Sequence, residues 1–362
     1  MNKRILDIFL QLIKIEGLSG EERNVADYVR KFLAQLGLEP FEDDSYRRTN
    51  SNTGNIICKK GSGGNKVLVS HMDTAVTTKG VKPICRSDKI TSDGTTVLGV
   101  DNRAGIAVLL AAVEEIVTKG IATKDFTLVF TTCEETTLGG SRNLKLEESI
   151  SEGFVFDSFM RPGIYIRESL GAASFKIRII GRAAHSGIAP ERGINSIKIA
   201  AQAVAGLSLG RINESTTVNI GKISGGSSVN VIPEVTEVFG EVRSAVTQTA
   251  DSSLENIRAE FMRAAESFGG GLEFSYDWDF MPYKLNSDSK VLEKIQTSIR
   301  RCGLNPTAEK SWGGSDANSL NSNGIEAVNI GIGAQNPHSK DEFILYEDLQ
   351  RSFEIAMEIT KC

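Results

Sequence analysis

An α/β layer of helices on a central sheet, interrupted by an inserted α+β domain, is the fold class that these 362 residues predict. Three observations carry it. Through residues 1–169, short apolar or β-branched runs alternate with helical patterns; from about Leu170, alternating strand segments interleave with two amphipathic helices; after Asp279, the helix-strand rhythm of the first third resumes. The expected boundaries are 1–169 and 282–362 for a divided first domain and 170–281 for the insertion. The length leaves room for a separate apolar core in each.

The elements follow in order. Residues 5–13 are apolar behind Lys3 and Arg4, but Asp7 and Gln11 interrupt the run and no small-residue cleavage site follows, which weighs against a leader peptide. Ser19 with Glu22 three residues on predicts a capping box at the start of a helix, and Gly37 marks its end. Residues 55–60 and 66–70, joined by Gly61-Ser62-Gly63-Gly64-Asn65, predict a hairpin of sheet strands. A helix over 102–119 and a buried strand over 126–132 come next. The insertion predicts strands at 174–180, 216–223 and 236–242, with helices at 194–207 and 249–267. A helix at 289–301, a strand at 327–332 and a last helix from Tyr346 complete the first domain.

Charge narrows the function classes. Lys and Arg number 41 against 46 Asp and Glu, with no basic block to track a phosphate backbone, so nucleic acid is not expected as a partner. The five cysteines are scattered without a C-x-x-C pair, which predicts a reducing compartment and hence the cytoplasm. No stretch approaches the roughly 20 apolar residues that span a bilayer, so no membrane partner is expected either.

Only three histidines occur, His71, His185 and His338. His71 closes the apolar run Val67-Leu68-Val69-Ser70, and Asp73 lies two residues on, where an extended backbone points both side chains to one face. Such a carboxylate can orient a ligating imidazole, although a plain ion pair at a strand end has the same pattern. Asp101, after a glycine-rich approach, reads either as the N-cap of the following helix or as a carboxylate bridging two cations. Glu134-Glu135 ends a buried strand, where two adjacent carboxylates repel unless cations neutralise them. One can then ligate while the other stays free as a general base. Asp157 repeats the acid at a strand's end, and His338 lies in a loop before the last helix. The carboxyl edge of an α/β sheet is where sites form.

Together these segments resemble the M20 family of metallopeptidases, within it the peptidase T (tripeptide aminopeptidase) branch. The resemblance rests on Ser70-His71-Met72-Asp73-Thr74, Gly99-Val100-Asp101-Asn102-Arg103-Ala104-Gly105, Thr132-Cys133-Glu134-Glu135, Phe156-Asp157, Gly181-Arg182-Ala183-Ala184-His185-Ser186-Gly187, Asn230-Val231-Ile232-Pro233, Gly313-Gly314-Ser315-Asp316-Ala317 and Pro337-His338-Ser339. It implies a zinc-exopeptidase catalytic domain with a mixed central sheet, and a ferredoxin-like lid in the insertion, through which a homodimer would form. It further implies that His71 and Asp157 hold one divalent metal ion, that Glu135 and His338 hold the other, and that Asp101 bridges them. Zinc is the first expectation, with cobalt or manganese as alternatives. Asp73 would steady His71, and Glu134 would be the general base. His185, Asn230 and Arg243 would bind the substrate from the lid, Arg243 through the planar fork that suits a peptide's carboxylate. For Arg243 an exposed charge on a strand is an equal reading.

Departures from the branch pattern are Asn102 after the bridging aspartate, Cys133 before the glutamate pair and a somewhat shorter chain. They leave the ligand set intact and the substrate open. The leading expectation is release of the N-terminal residue of tripeptides or similarly short peptides. The alternatives are an M20-type dipeptidase or aminoacylase, an M42-type glutamyl aminopeptidase, and a non-catalytic metal- or peptide-binding protein on the same scaffold.

Overall fold

The computed structural model describes residues 2–362. The chain forms two compact units, one made of the residues up to Glu168 together with Lys284–Cys362, the other of Ser169–Tyr283. Among the described residues, no helix is long and apolar enough to cross a membrane.

The first unit is built on a mixed sheet of nine strands among the described residues. Four parallel strands form its middle, Phe126–Thr131, Lys66–His71, Glu152–Ser158 and Glu326–Gly331 in spatial order. Ile56–Lys60 runs antiparallel beside the first of these and Ile164–Ser169 antiparallel beside the last. Strands covered on both faces have no polar side to show, and every residue of Phe126–Thr131 and Lys66–His71 is buried. Val69, Phe130, Phe154, Val155, Phe156 and Ile330 are wholly screened from solvent. Each such side chain contributes about 1.5–3 kcal/mol by leaving water. The helix Lys3–Leu12 turns Ile5, Ile8, Phe9 and Leu12 inward at helical spacing, so the N-terminal apolar run is one face of an amphipathic helix.

Two local expectations are corrected. Residues 55–60 and 66–70 do not pair as a hairpin, because the strand Phe126–Thr131 lies between them. Their connection steps over that strand and is tied to the residue before it, with Ser62 donating its N–H and hydroxyl to Asp125 Oδ2, both at 2.8 Å. The capping box at Ser19 and Glu22 does not form either. The helix starts at Arg23 without a side-chain cap, and the wholly buried Glu22 carboxylate instead accepts the N–H groups of Gly20 and Cys133, each at 2.9 Å, and the Ser51 hydroxyl at 2.5 Å. Ser51 and Cys133, distant in the chain, outcompete a local cap because their donors are buried and have no water to turn to.

The second unit is a five-stranded antiparallel sheet with two helices, Ser196–Gly206 and Thr247–Ser267. Strands Thr216–Gly225, Val235–Ser244, Gly171–Ile180 and Gly271–Phe280 stand in that spatial order, the ferredoxin-like arrangement, and the short Gly210–Asn213 adds an outer edge. Phe175, Ile177 and Ile179 alternate inward along one strand against Leu254, Ile257 and Phe261 of the longer helix.

Candidate metal centre

The four parallel strands deliver the site because their carboxyl ends lie side by side. His71 is the last residue of its strand, and Asp157 is next to last in Glu152–Ser158. Beyond Thr131 the chain turns sharply at Cys133, φ 51°, into the one-turn helix Glu134–Thr137. Past Gly331, a loop with Asn336 and His338 in the left-handed region, at φ 52° and 62°, carries the last histidine. Asp101 stands at the head of the helix Val100–Lys119, where the backbone leaves helical values at Asp101 and Asn102. The side chain that caps this helix is Asn102, whose Oδ1 accepts the Gly105 N–H at 3.0 Å, so capping does not account for Asp101.

The seven candidates of the first unit meet around Asp101. His71 Nε2 is 3.1 Å from Asp101 Oδ1 and 3.1 Å from Asp157 Oδ1. On the other side, His338 Nε2 is 3.3 Å from Asp101 Oδ2 and 3.0 Å from Glu135 Oε1. One ligand atom each of His71, Asp101 and Glu135 lie within 4.8 Å of one another. Asp73 is wholly buried with Oδ1 3.2 Å from His71 Nδ1, and it accepts the N–H groups of Glu134 and Glu135 at 3.1 and 3.0 Å. Glu134 approaches His71 Nε2 at 3.9 Å.

Residues that sequence reasoning had not given a role hold this arrangement. Glu342, 1% exposed, accepts the N–H of Gly99 at 2.6 Å and of Asp101 at 3.1 Å, and so anchors the turn that presents Asp101. Asn102 Nδ2 donates to Asp157 Oδ1 at 3.1 Å and to Phe156 O at 2.8 Å, while Asn329 Nδ2 reaches Asp157 Oδ2 at 3.4 Å. The buried Arg103 guanidinium binds Met72 O, fixing the backbone between His71 and Asp73. Asp316 accepts the Thr131 hydroxyl at 2.5 Å behind the strand end. In the sequence these acids and amides look like ordinary loop and helix-end residues; only the parallel strand order puts them together.

The electrostatics call for cations. With Nδ1 donating toward Asp73, the other nitrogen of a neutral His71 directs its lone pair at two carboxylate oxygens, a repulsive contact unless a positive charge sits there. Five carboxylates (Asp73, Asp101, Glu134, Glu135, Asp157) face two imidazoles, so three negative charges remain even with both rings protonated. The protonation equilibria record the strain. Burial pushes the Glu134, Glu135 and Asp157 carboxyls above their usual range, reinforced at Glu134 by Asp157 and at the other two by Asp101. His338 is driven up to about 10 by its hydrogen bonds with Asp101 and Glu135. Burial opposes the charging of His71, yet Glu134, Asp101 and Asp157 raise it well above the ordinary imidazole value. Imidazole nitrogens and carboxylate oxygens are the donors that zinc and its first-row neighbours take, so the donor set fits a pair of divalent cations.

His185, Asn230 and Arg243 belong to the second unit. His185 and Asn230 are exposed neighbours, with Val231 bridged to His185 and the Ser186 N–H donated to Asn230 O at 3.0 Å. Arg243 stands on Val235–Ser244, paired with Glu241 at 3.1 Å, its guanidinium carbon 6.0 Å from the Phe280 ring centre.

Comparison with known proteins bears on both units. The peptidase dimerisation domain of the M20 family matches residues 167–268, and the M42 glutamyl aminopeptidase family matches residues 84–163. The chain is 32% identical to the uncharacterized protein YqjE of Bacillus subtilis over 361 residues, covering 99% of this chain and 97% of that one. It superposes on the aminopeptidase PepT of Bacillus cereus with a TM-score of 0.89 at 31% identity, and on a tripeptidase of Staphylococcus aureus with a TM-score of 0.92 at 30% identity. Each of those superpositions covers 99% of this chain and 97% of the other.

Proposed function

The chain belongs to the M20 family of peptidases, in its peptidase T-like branch, and is an aminopeptidase of that family; on this footing we propose that it is a two-metal exopeptidase that releases the N-terminal residue of tripeptides. One observation carries the metal reading: the two oxygens of Asp101 each face a histidine, at 3.1 and 3.3 Å, and each histidine has a second carboxylate at its Nε2. His71 with Asp157 and His338 with Glu135 would hold one cation each, and Asp101 both. Zinc is the first candidate, cobalt and manganese the alternatives.

When bound, the cations would polarise the scissile carbonyl and acidify the attacking water. Glu134, pushed toward higher pKa by burial and 3.9 Å from His71 Nε2, would take that water's proton and pass it to the leaving amine. Asp73 fixes the ring of His71 by facing Nδ1. His185, Asn230 and Arg243 are assigned to substrate binding, Arg243 toward the peptide's terminal carboxylate. A homodimer through the second unit is supported by the dimerisation-domain match and by its edge strand Gly210–Asn213, exposed at every residue, with Ile212 40% exposed. The cytoplasm is the proposed location.

Removing metal with a strong chelator should abolish tripeptide hydrolysis, and zinc, cobalt or manganese should restore it; activity surviving exhaustive chelation would contradict the mechanism. Glu134→Gln should keep the metal stoichiometry while lowering kcat by about 10²–10⁴-fold, the usual contribution of a general base. Digestion of a mixed di-, tri- and tetrapeptide library, with free and blocked termini, separates the tripeptidase from a dipeptidase or an aminoacylase by the masses of the products.

A further inference from the structure

At the amino ends of the parallel strands, the edge of the sheet opposite to the carboxylate cluster, the first unit holds a cavity of about 520 Å³. Ile150, two residues before the strand Glu152–Ser158, and Ile325, the residue before Glu326–Gly331, both line it. Its charged lining is Arg48, Arg142 and Lys145, with Glu147 and Glu148. We propose that this cavity is a binding site for a phosphate monoester with a small apolar body, separate from the metal centre.

Charge is the first argument. Glu147 pairs with Lys59, so its negative charge is already met. Against Glu148 stand two guanidiniums and an ammonium, all exposed, which leaves the cavity a balance of two positive charges. A phosphate monoester carries about −1.5 to −2 at pH 7 and matches that balance, whereas one carboxylate supplies half of it. Guanidiniums also bind phosphate oxygens two at a time.

The two arginines leave from backbone that a single residue ties together. Asn55, wholly buried, donates its N–H to Ser45 Oγ and its side-chain amide to Gly140 O, both at 3.0 Å. Ser45 O accepts the Arg48 N–H at 2.9 Å, and Gly140 belongs to the one-turn helix Gly139–Arg142. A methyl group on Gly140 would come within 2.4 Å of Asn55 Oδ1 and 2.5 Å of the Thr132 backbone, so that helix fits against the sheet in one position. An anion that engages both guanidiniums therefore orders little backbone on binding.

Leu144, Ile150 and Leu320, 7%, 6% and 1% exposed, add an apolar side to the cavity. The carbonyls where the helix Asp316–Ser322 ends beside it are already paired, Leu320 O with the Ile325 N–H at 3.0 Å and Asn321 O with the Gly324 N–H at 3.1 Å. The volume falls within the roughly 300–1,000 Å³ of small-molecule pockets and leaves room for an apolar body beside the phosphate.

Titration calorimetry on the metal-loaded full chain, with phenyl phosphate as the probe, tests the site. Arg48→Ala and Arg142→Ala should each weaken binding by about tenfold or more, the cost of a lost charge-assisted hydrogen bond. Glu148→Gln should tighten it by about threefold, a gain that a misfolded variant cannot mimic. Benzoate should bind about tenfold more weakly than phenyl phosphate, and benzyl alcohol should not bind. Equal affinity in the parent and all three variants would mean that the anion sits on the metal ions instead, and would overturn the proposal. So would the absence of saturable binding at millimolar phenyl phosphate, or benzoate or benzyl alcohol binding as tightly as the phosphate.

Discussion

At the scale of single residues, the site is held by atoms that never touch a ligand. Glu342 is the clearest case. It accepts two N–H groups of the turn that carries Asp101, and burial pushes its carboxyl up to about 7. Replacing it with glutamine brings an N–H₂ where the backbone needs an acceptor. We therefore expect Glu342→Gln to weaken divalent-cation affinity by about 10–100-fold, the usual cost of losing a ligand's support, measured by competition with a chromogenic chelator. An unchanged affinity would reduce Glu342 to a packing residue. This residue was illegible in the sequence because an acid in Lys340-Asp341-Glu342 reads as solvated; its partners are 241 and 243 positions away. His71 and His338 stood out for the opposite reason, as two of only three histidines, each beside an acid or at an element's end.

Among elements, the decisive contact is between the head of the helix Val100–Lys119 and the sheet. At Gly105 an added methyl group would meet Phe156 O, Asn102 Oδ1 and Ser70 Oγ, atoms of the strands that carry Asp157 and His71 and of the turn that holds Asp101. Gly105→Ala should therefore lift the helix, destabilise the fold by about 1–3 kcal/mol in denaturant titration and weaken cation binding together. Stability lost without any change in cation binding would show that the helix head and the site are independent. Strand positions were readable because buried parallel strands are continuous apolar runs, as Val67-Leu68-Val69 and Phe154-Val155-Phe156 show. Strand neighbours were not. A glycine-rich link between two strands reads as a hairpin, and nothing near residues 61–65 announces that Phe126–Thr131 will insert between them. Glu22 misled in the same way, since its spacing from Ser19 fits a cap while its carboxylate serves Cys133.

On the scale of the whole molecule, the division into two units was visible as a change of texture, continuous buried runs giving way to in-out alternation near Leu170 and returning after Asp279. The first unit uses its parallel strands to bring residues from 71 to 338 into one cluster, and that cluster carries more negative charge than its histidines can offset. That excess calls for two cations, one on either side of Asp101. Anomalous diffraction at the zinc edge from crystals grown with zinc locates them. Two peaks are expected, one among His71, Asp101 and Asp157 and one among Asp101, Glu135 and His338; a single peak, or zinc bound elsewhere with this cluster empty, would contradict it.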